Sequence, residues 1–429
     1  MRLGGRMQAA AEVLADLGAR HRPVPDALRD WGVSHRFAGS GDRAAISNLV
    51  LDALRMKASH AWLMDGDAPI DLVTAVLLRQ WGYRPEALAG ELDGDRFAPE
   101  TKSVPDLAAL MGRDLASAPD HVQADIPEWT VPHFQAAFGG NWIAEAQALA
   151  GRAPLDLRVN TLKADRAKVL RGLKAPGAHE PALAPAGIRV PAPDGARRQA
   201  AATSEVAFAK GFFEVQDEGS QLAALLTGAK PGEQVLDYCA GGGGKTLAMA
   251  ASMENSGQIH AYDSDRRRLA PMVERLKRAG VRNVQLLEDA ESLAPLEGRM
   301  DRVLIDAPCT GTGTWRRRPD AKWRLTPDNL EKRMADQDQV LDKASVYVKP
   351  GGSLAYVTCS VLPDENTDRT RAFLDRYPDF EPLDAAEIWR DAVSGEVDAP
   401  LAGEGQGLLL SPARTGTDGF FFALFRRRG

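Results

Sequence analysis

Residues 235–246 read VLDYCAGGGGKT, a short apolar run followed by four glycines, a lysine and a threonine. The apolar run predicts a buried strand and the residues from Thr246 onward predict a helix, so the glycines form the turn between them. Four further apolar runs follow, separated by helical stretches: QIHAYD (258–263), VQLLED (284–289), RVLIDAP (302–308) and SLAYVTCS (353–360). This alternation predicts a Rossmann-like α/β domain with a parallel, doubly wound sheet, which GFFFALFRR (419–427) is expected to close as the last strand.

The residues before this domain have a different pattern of apolar and polar positions. Residues 1–144 predict an all-helical domain, and the apolar positions between Asp42 and Trp62 form one helical face. Residues 145–225 contain the β-rich stretch LDLRVNTL (155–162) and a long passage rich in proline and alanine, which together predict a small α+β connector. The α/β domain then occupies residues 226–429. Three domains suit a chain of 429 residues, which exceeds one compact core.

Composition narrows the class of protein. The chain has no secretory leader pattern and no apolar run long enough to span a bilayer, so we expect a cytoplasmic protein without membrane contact. Three widely spaced cysteines make neither a disulfide framework nor a metal site. The net charge of −6 argues weakly against a nucleic-acid partner, but basic residues cluster locally. Nothing in the sequence requires more than a monomer.

The glycine loop predicts a nucleotide-like ligand, since loops at this position bind such ligands against a helix N-terminus. A P-loop requires glycine where this chain has Cys239, and a dinucleotide fingerprint requires glycine at Thr246. Asp237, Asp263 and Asp289 end three successive strands. Carboxylates at these places suit an ammonium, ribose hydroxyls and an adenine amino group, so S-adenosylmethionine (SAM) is the favoured ligand. A helix cap is the alternative role for any single one of them.

Two cysteines follow two other strands, in DAPC (306–309) and TCS (358–360). Ligands of such sheets lie beyond the carboxyl ends of the strands, so both thiols can face the crevice that holds SAM. Carbon 5 of cytosine takes a methyl group only after a thiolate has added to carbon 6, and a second thiol can then assist release. An acid near ring nitrogen 3 would stabilise the charge that forms, and Asp306 is well placed for this if it is protonated or shares a proton.

The motifs resemble those of the RsmB/Sun family of RNA 5-methylcytosine methyltransferases. The similar segments follow in family order: LRVNTLK (157–163), FFEVQDEGSQL (212–222), LDYCAGGGGKT (236–246), LIDAPCTGTG (304–313), YVTCSVLPDEN (356–366) and GTDGFF (416–421). Many family members have APGGK in the glycine loop, with proline where this chain has Gly241. Glycine is expected to loosen the loop without removing its backbone donors.

The resemblance implies a role for each motif. Cys359 would be the nucleophile, Cys309 would assist release, and Asp306 would contact both SAM and the target base. DNA cytosine methyltransferases instead use the cysteine of their Pro-Cys motif as the nucleophile. The remaining SAM contacts would come from the glycine loop and two strand ends: Cys239, Ala240, Gly241, Gly242, Gly243, Gly244, Lys245, Asp263 and Asp289. Cys239 receives no chemical role beyond its backbone.

The partner predicted by these motifs is RNA. The stretch GTGTWRRRPDAKWR (311–324) follows DAPC and combines cations with two tryptophans, which suits phosphate contact and base stacking unless Trp315 and Trp323 only pack the loop. DRAAISNLVLDAL (42–54) resembles the NusB-type RNA-binding domain of bacterial RsmB-like enzymes, which favours small-subunit (16S) rRNA over tRNA. A catalytically silent assembly factor, a DNA methyltransferase and a P-loop ATPase are the competing interpretations.

Overall fold

The computed structural model describes residues 1–393, 397–403 and 405–429. The chain divides into two compact units. The helical unit comprises Met1–Arg152, Ala192–Gln199 and Trp315–Leu325. The sheet unit comprises Ala153–Pro191, Ala200–Thr314 and Thr326–Gly429. None of the described helices is both long and apolar enough to cross a bilayer.

Helices build the whole of the helical unit, so its predicted all-helical character is confirmed. They are α1 (Leu3–Arg20), α2 (Val24–Ser34), α3 (Ser40–Arg55), α4 (Lys57–Met64), α5 (Pro69–Ala75), α6 (Pro85–Leu92), α7 (Val104–Met111), α8 (Asp120–Gln123), α9 (Val131–Phe138), α10 (Trp142–Leu149) and, much later in the chain, α16 (Pro319–Arg324). The apolar face of α3, with Ile46, Leu49 and Val50, lies in the core of this unit. The single helix predicted from Asp42 to Trp62 is two helices, because the backbone leaves the helical region at Met56 (φ −119°, ψ 37°). The likeness to a NusB domain stays a prediction.

The sheet unit begins with a small antiparallel sheet of order β2-β1-β3. Its elements are β1 (Leu155–Val159), α11 (Arg166–Gly172), β2 (Gly187–Val190), α12 (Val206–Ala209), β3 (Phe213–Val215) and α13 (Glu218–Leu226). Leu157, Ile188 and Phe213 are fully buried in its core. The boundaries predicted for three domains, at residues 144 and 225, stay a prediction.

An eight-stranded sheet forms the rest of the sheet unit. Its elements are β4 (Gln234–Asp237), α14 (Gly244–Ser252), β5 (Gln258–Tyr262), α15 (Ala270–Ala279), β6 (Val284–Leu287), β7 (Met300–Asp306), α17 (Pro327–Ser345), β8 (Val348–Thr358), α18 (Thr367–Arg376), β9 (Phe380–Pro382), α19 (Ala385–Ala392), β10 (Leu408–Leu410), α20 (Pro412–Thr415) and β11 (Phe420–Arg427). Strands β4 to β8 are parallel, in the order β8-β7-β4-β5-β6. The predicted Rossmann-like α/β fold is thereby confirmed.

The last strand departs from the prediction. β11 does not close the sheet, because it runs antiparallel between β8 and β10 and also pairs with β9. Its residues 420–425 are all buried, and an uninterrupted apolar run of this kind is typical of an interior strand. The carboxyl ends of β4, β5, β7 and β8 carry the candidate site.

Candidate active site

The glycine loop joins β4 to α14 and bends sharply. Gly241 (φ +50°) and Gly243 (φ +81°) adopt left-handed conformations that favour glycine. A Cβ on Gly243 would lie 2.6 Å from Cγ of Met272, so a side chain does not fit at this position. The loop thus brings backbone against the N-terminus of α14, an arrangement that accepts a polar ligand.

The expectation that Gly241 stands where relatives have proline is wrong. Proline requires φ near −65° and has no N–H group. Gly241 has a positive φ, and its N–H donates to Oδ2 of Asp263 at 2.9 Å. The proline of the APGGK loop therefore corresponds to another position in this loop.

Asp237, at the end of β4, has one carboxylate oxygen available for a ligand. Its Oδ2 accepts a hydrogen bond from Oγ1 of Thr246 at 2.7 Å, whereas Oδ1 is buried with no partner among the described residues. Burial raises the pKa of Asp237 to about 7, against the opposing effect of the Thr246 hydrogen bond. A buried oxygen of this kind is costly unless a ligand or water donates to it, and a ligand ammonium group fits this requirement.

Asp263 and Asp289, at the next two strand ends, have different surroundings. Asp263 is buried, and it accepts bonds from the N–H groups of Gly241 and Asp265 and from Arg268 at 3.0 Å. Asp289 is exposed and accepts hydrogen bonds from the N–H (2.9 Å) and hydroxyl (2.6 Å) of Ser292, which lower its pKa. Asp263 therefore shapes the glycine loop, and Asp289 has the capping geometry that was its alternative role.

Lys245 and Asp306 form an ion pair beside the glycine loop, with 2.7 Å between Nζ and Oδ2. The Lys245 side chain is buried, and its Nζ lies 5.3 Å from the ring centre of Phe420 on β11. Burial lowers the pKa of Lys245, but the Asp306 carboxylate outweighs this and makes the net shift upward. Lys245 is therefore protonated at neutral pH, and its ammonium donates a hydrogen bond to Asp306.

Cys309 and Cys359 meet at the ends of β7 and β8, which are neighbours in the sheet. Their Sγ atoms are 3.3 Å apart, and both residues are only partly buried. Two contacts tie the loops that follow these strands: the N–H of Gly313 donates to the carbonyl of Cys359 at 3.0 Å, and the hydroxyls of Thr312 and Ser360 are 2.9 Å apart. The structure therefore brings together the two thiols predicted to act as a pair.

The surroundings of Cys309 and Cys239 raise the pKa of both thiols. The hydrogen bond with Cys359, together with burial, raises the pKa of Cys309 well above its usual range. Burial, with Asp306, Asp263 and Asp237 nearby, raises the pKa of Cys239. Cys309 can therefore serve as a proton donor, and nothing favours a chemical role for the Cys239 thiol.

Sequence reasoning missed four residues that contact the site or its loops: Gln337, Glu365, Asn366 and Phe420. Glu365 and Asn366 lie in the motif YVTCSVLPDEN, and Phe420 lies in GTDGFF, but their residue types alone suggest no chemistry. Gln337 lies on α17 and is fully buried, which a polar residue in an amphipathic helix does not reveal.

The basic segment after the Cys309 loop lies in the helical unit from Trp315 onward. Trp315 is buried and stacks on Phe134, with ring centres 5.6 Å apart. The indole N–H of Trp323 donates to the carbonyl of Leu54 at 2.6 Å, and the buried Nζ of Lys322 donates to that of Arg55 at 2.7 Å. Trp315 is thus not available to stack on a base, and the alternative that the tryptophans pack the segment is correct for it.

Two family models match the chain. The model described as 16S rRNA methyltransferase RsmB/F matches residues 224–426. The model described as Methyltr_RsmF/B-like, ferredoxin-like domain matches residues 126–195. The first match covers the large sheet with all three cysteines, and the second covers β1 and β2 of the small sheet.

Individual proteins are also similar to this chain. It is 34% identical to the ribosomal RNA small subunit methyltransferase B of Cronobacter sakazakii, over 69% of this chain but only 65% of that protein's length. It is 30% identical to the probable ribosomal RNA small subunit methyltransferase B of Bacillus subtilis, over 80% of this chain and 75% of that protein. A solved methyltransferase homolog protein from Pyrococcus horikoshii is 29% identical with a TM-score of 0.59, over 72% of this chain and 97% of that one.

Proposed function

Because the chain belongs to the RsmB/F family of 16S rRNA methyltransferases, we propose that it methylates carbon 5 of a cytidine in small-subunit rRNA. The cofactor predicted from the sequence, SAM, is confirmed by this membership. The observation that carries the proposal is the 3.3 Å separation of the Cys309 and Cys359 sulfurs at adjacent strand ends. A cytosine-5 reaction through a covalent adduct requires one thiol as the nucleophile, and a second thiol at this distance can assist release.

The proposed division of labour is the one that the TCS and DAPC motifs of the family imply, and the contact between the two sulfurs is compatible with it. Cys359 adds to carbon 6 of the cytosine, forming a carbon–sulfur bond and making carbon 5 nucleophilic. Cys309 keeps its proton, as its raised pKa favours, and so does not compete as the nucleophile. After carbon 5 has been methylated, its proton passes to solvent, and the bond between carbon 6 and Cys359 breaks with its electron pair returning to the Cys359 sulfur. Cys309 assists this release by donating its proton to that sulfur, which lies 3.3 Å away, and then takes a proton from solvent.

The Lys245–Asp306 pair supplies the acid that the addition requires. Negative charge builds on the ring side of nitrogen 3 when a thiolate adds to carbon 6, and a nearby proton stabilises it. Asp306 is partly exposed, and the ammonium of Lys245 donates to its Oδ2 at 2.7 Å. We therefore assign Asp306 to the base, to which it presents the proton that it shares with the Lys245 ammonium in their hydrogen bond.

The residues that would hold the cofactor are those of the glycine loop and the strand ends around it. SAM supplies the methyl group from its sulfonium centre. The unpartnered Oδ1 of Asp237 can accept a bond from its ammonium group, and the backbone from Cys239 to Lys245 can approach it closely because Gly241 and Gly243 carry no side chains. Asp263 and Asp289 remain proposed ribose and adenine contacts, for which Asp263 would have to exchange its Arg268 partner.

The proposal is tested by following both the methyl group and the RNA–protein bond. Wild type, Cys359→Ala and Cys309→Ala are incubated with radiolabelled SAM and unmodified small-subunit rRNA, and the products are separated on denaturing gels. We expect transfer by wild type, none by Cys359→Ala, and an RNA-linked protein band with Cys309→Ala. A band with Cys359→Ala instead would reverse the two roles.

The same experiment separates the alternatives. Transfer to tRNA but not to rRNA would make the chain a tRNA cytosine-5 methyltransferase. RNA binding without transfer to either RNA would support an assembly factor that has lost catalysis. With rRNA as the proposed substrate, we also propose that the protein acts in the cytoplasm.

A further inference from the structure

Two consecutive buried residues lie shortly after β8 and Cys359, and the reaction above leaves both without a role. Glu365 is fully buried and Asn366 is 2% exposed. Burying a carboxylate is costly unless several donors satisfy it. The partners of these two side chains are therefore informative.

Glu365 binds the residue that follows Cys309. Its Oε1 accepts from the N–H of Thr310 at 2.8 Å, and its Oε2 accepts from the Thr310 hydroxyl at 2.5 Å. Gln337 adds a second tie, since its amide donates to Oε1 of Glu365 at 2.9 Å and to the carbonyl of Pro308 at 3.0 Å. The backbone on both sides of Cys309 is thus fixed to one carboxylate and one amide.

Asn366 does the same for the other cysteine. Its Oδ1 accepts from the hydroxyl of Thr358 at 2.6 Å, and its Nδ2 donates to the carbonyl of Ser360 at 2.9 Å. These are the two neighbours of Cys359 in the chain. The hydroxyl of Tyr356 also donates to the carbonyl of Glu365 at 2.7 Å, which ties the pair back to β8.

We propose that Glu365 and Asn366 are positioning residues that set the separation of the two sulfurs, Glu365 through Cys309 and Asn366 through Cys359. Since they are adjacent in the chain, neither cysteine loop can shift without moving the bonds that hold the other. Reactive groups must be held to within a fraction of an ångström, which two hydrogen-bonded loops on strand ends achieve better than loops held by packing alone. This inference rests on the proposed two-thiol reaction.

The inference predicts different defects for the two alanine variants. Glu365→Ala frees Cys309, so it should slow release, accumulate the RNA-linked band and lower turnover by about tenfold or more. Asn366→Ala frees Cys359, so in a Cys309→Ala background it should lower the yield of that band by about tenfold or more. Glu365→Gln keeps an acceptor for the Thr310 N–H and can donate to the Thr310 hydroxyl, so it should restore most of the turnover.

The controls separate failure of this inference from failure of the proposed function. If Cys309→Ala forms no RNA-linked band, the two-thiol reaction itself is wrong. If it forms the band but Glu365→Ala does not, or if both alanine variants lose adduct formation and release equally, the positioning roles are wrong. Should Glu365→Ala fail to fold, Thr310→Val removes only the hydroxyl contact. Accumulation of the band with this variant would support the inference, and turnover and adduct levels like those of wild type would overturn it.

Discussion

The segment from Asp306 to Leu325 belongs to both units, and its two parts place charged side chains in different surroundings. In the first part, up to Thr314, Asp306 is partly exposed and the residues beside Cys309 are fixed by hydrogen bonds to the buried Glu365 and Gln337. In the second part, Lys322 is itself buried, between the rings of Trp315 and Trp323. In the first part the charged side chain is proposed to serve chemistry and in the second part a charged side chain is packed in a core, although the sequence of both parts predicts one polar loop.

The largest effect expected in the first part is on catalysis. Asp306→Ala should lower methyl transfer to rRNA by about 10²–10⁴-fold, because it removes the group proposed to carry the proton to the base. Initial rates with radiolabelled, saturating SAM measure this, with Asp306→Asn as the variant of matched shape. The thermal transition of Asp306→Asn, followed by circular dichroism, should stay close to that of wild type; fluorescence is unsuited to this control because seven of the eight tryptophans lie in the helical unit and Asp306 does not. A transfer rate within about twofold of wild type would exclude Asp306 from the chemistry.

In the second part the largest effect should be on stability. Trp315→Ala removes a buried ring from its stack on Phe134 and should lower the free energy of unfolding of the helical unit by about 3–5 kcal/mol. Urea titration followed by tryptophan fluorescence measures the change. Trp315→Phe is the matched control and should cost much less, since the indole N–H has no partner among the described residues. SAM affinity that fell along with stability would break the contrast between the two parts.

Much of the fold could be predicted from the sequence because the signals are local. Alternating apolar runs and helical stretches predict the strands β4 to β8 and their parallel direction without knowledge of any contact. The strands β9 and β10 were missed because each has only three residues, and no period can be read from so few. The interior place of β11 depends on those two partners, so it was mispredicted with them.

The residues of the candidate site also differ in whether local signals predict them. Cys309, Cys359, Lys245 and Asp306 were predicted because their motifs stand at strand ends, where the topology of the sheet brings them together. Glu365 and Asn366 were quoted without a role, since their importance lies in which backbone groups they reach. Trp315 cannot stack on an RNA base because its ring is buried. Burial depends on tertiary packing, so the local sequence does not reveal it.

Because Lys322 in the second part is buried, the stability of the helical unit should depend on pH. Burial lowers the pKa of Lys322 from 10.5 to about 8, against the opposing effect of Asp125. Between these two pH values the unfolded chain binds more protons than the folded one, so the free energy of unfolding rises with pH across that interval. Below the interval, the folded state bears the whole cost of burying the charged ammonium. The rise should approach about 3 kcal/mol.

Lys322→Met tests this directly. Denaturant midpoints of the helical unit between pH 7 and pH 10 should rise less in the variant than in wild type, because the titrating group is gone. Lys332→Met removes an exposed lysine from the sheet unit and should leave the wild-type profile intact. Parallel profiles for wild type and Lys322→Met would show that the buried lysine is not the titrating group.

The smallest effect should come from the arginines of the second part that remain exposed, and it bears on the prediction that this segment contacts RNA. Arg318 is exposed, and Arg324 is 36% exposed while pairing with Asp320 at 2.7 Å. If each contacts a phosphate, alanine at either position should weaken rRNA binding by a few-fold without changing SAM affinity. Each loss should also reduce the slope of log affinity against log salt by about 1.

Filter binding at several salt concentrations measures the slope for each single variant and for the double variant, in which the two losses should add. Arg29→Ala is the control, because Arg29 is 67% exposed in the same helical unit but lies outside the segment. If the Arg318 and Arg324 variants have the same slope as Arg29→Ala, the segment serves packing throughout, and the contrast between the two parts becomes complete. If the slopes fall, the second part packs with its tryptophans and Lys322 and contacts RNA with its exposed arginines, because the two roles use different side chains of one short segment.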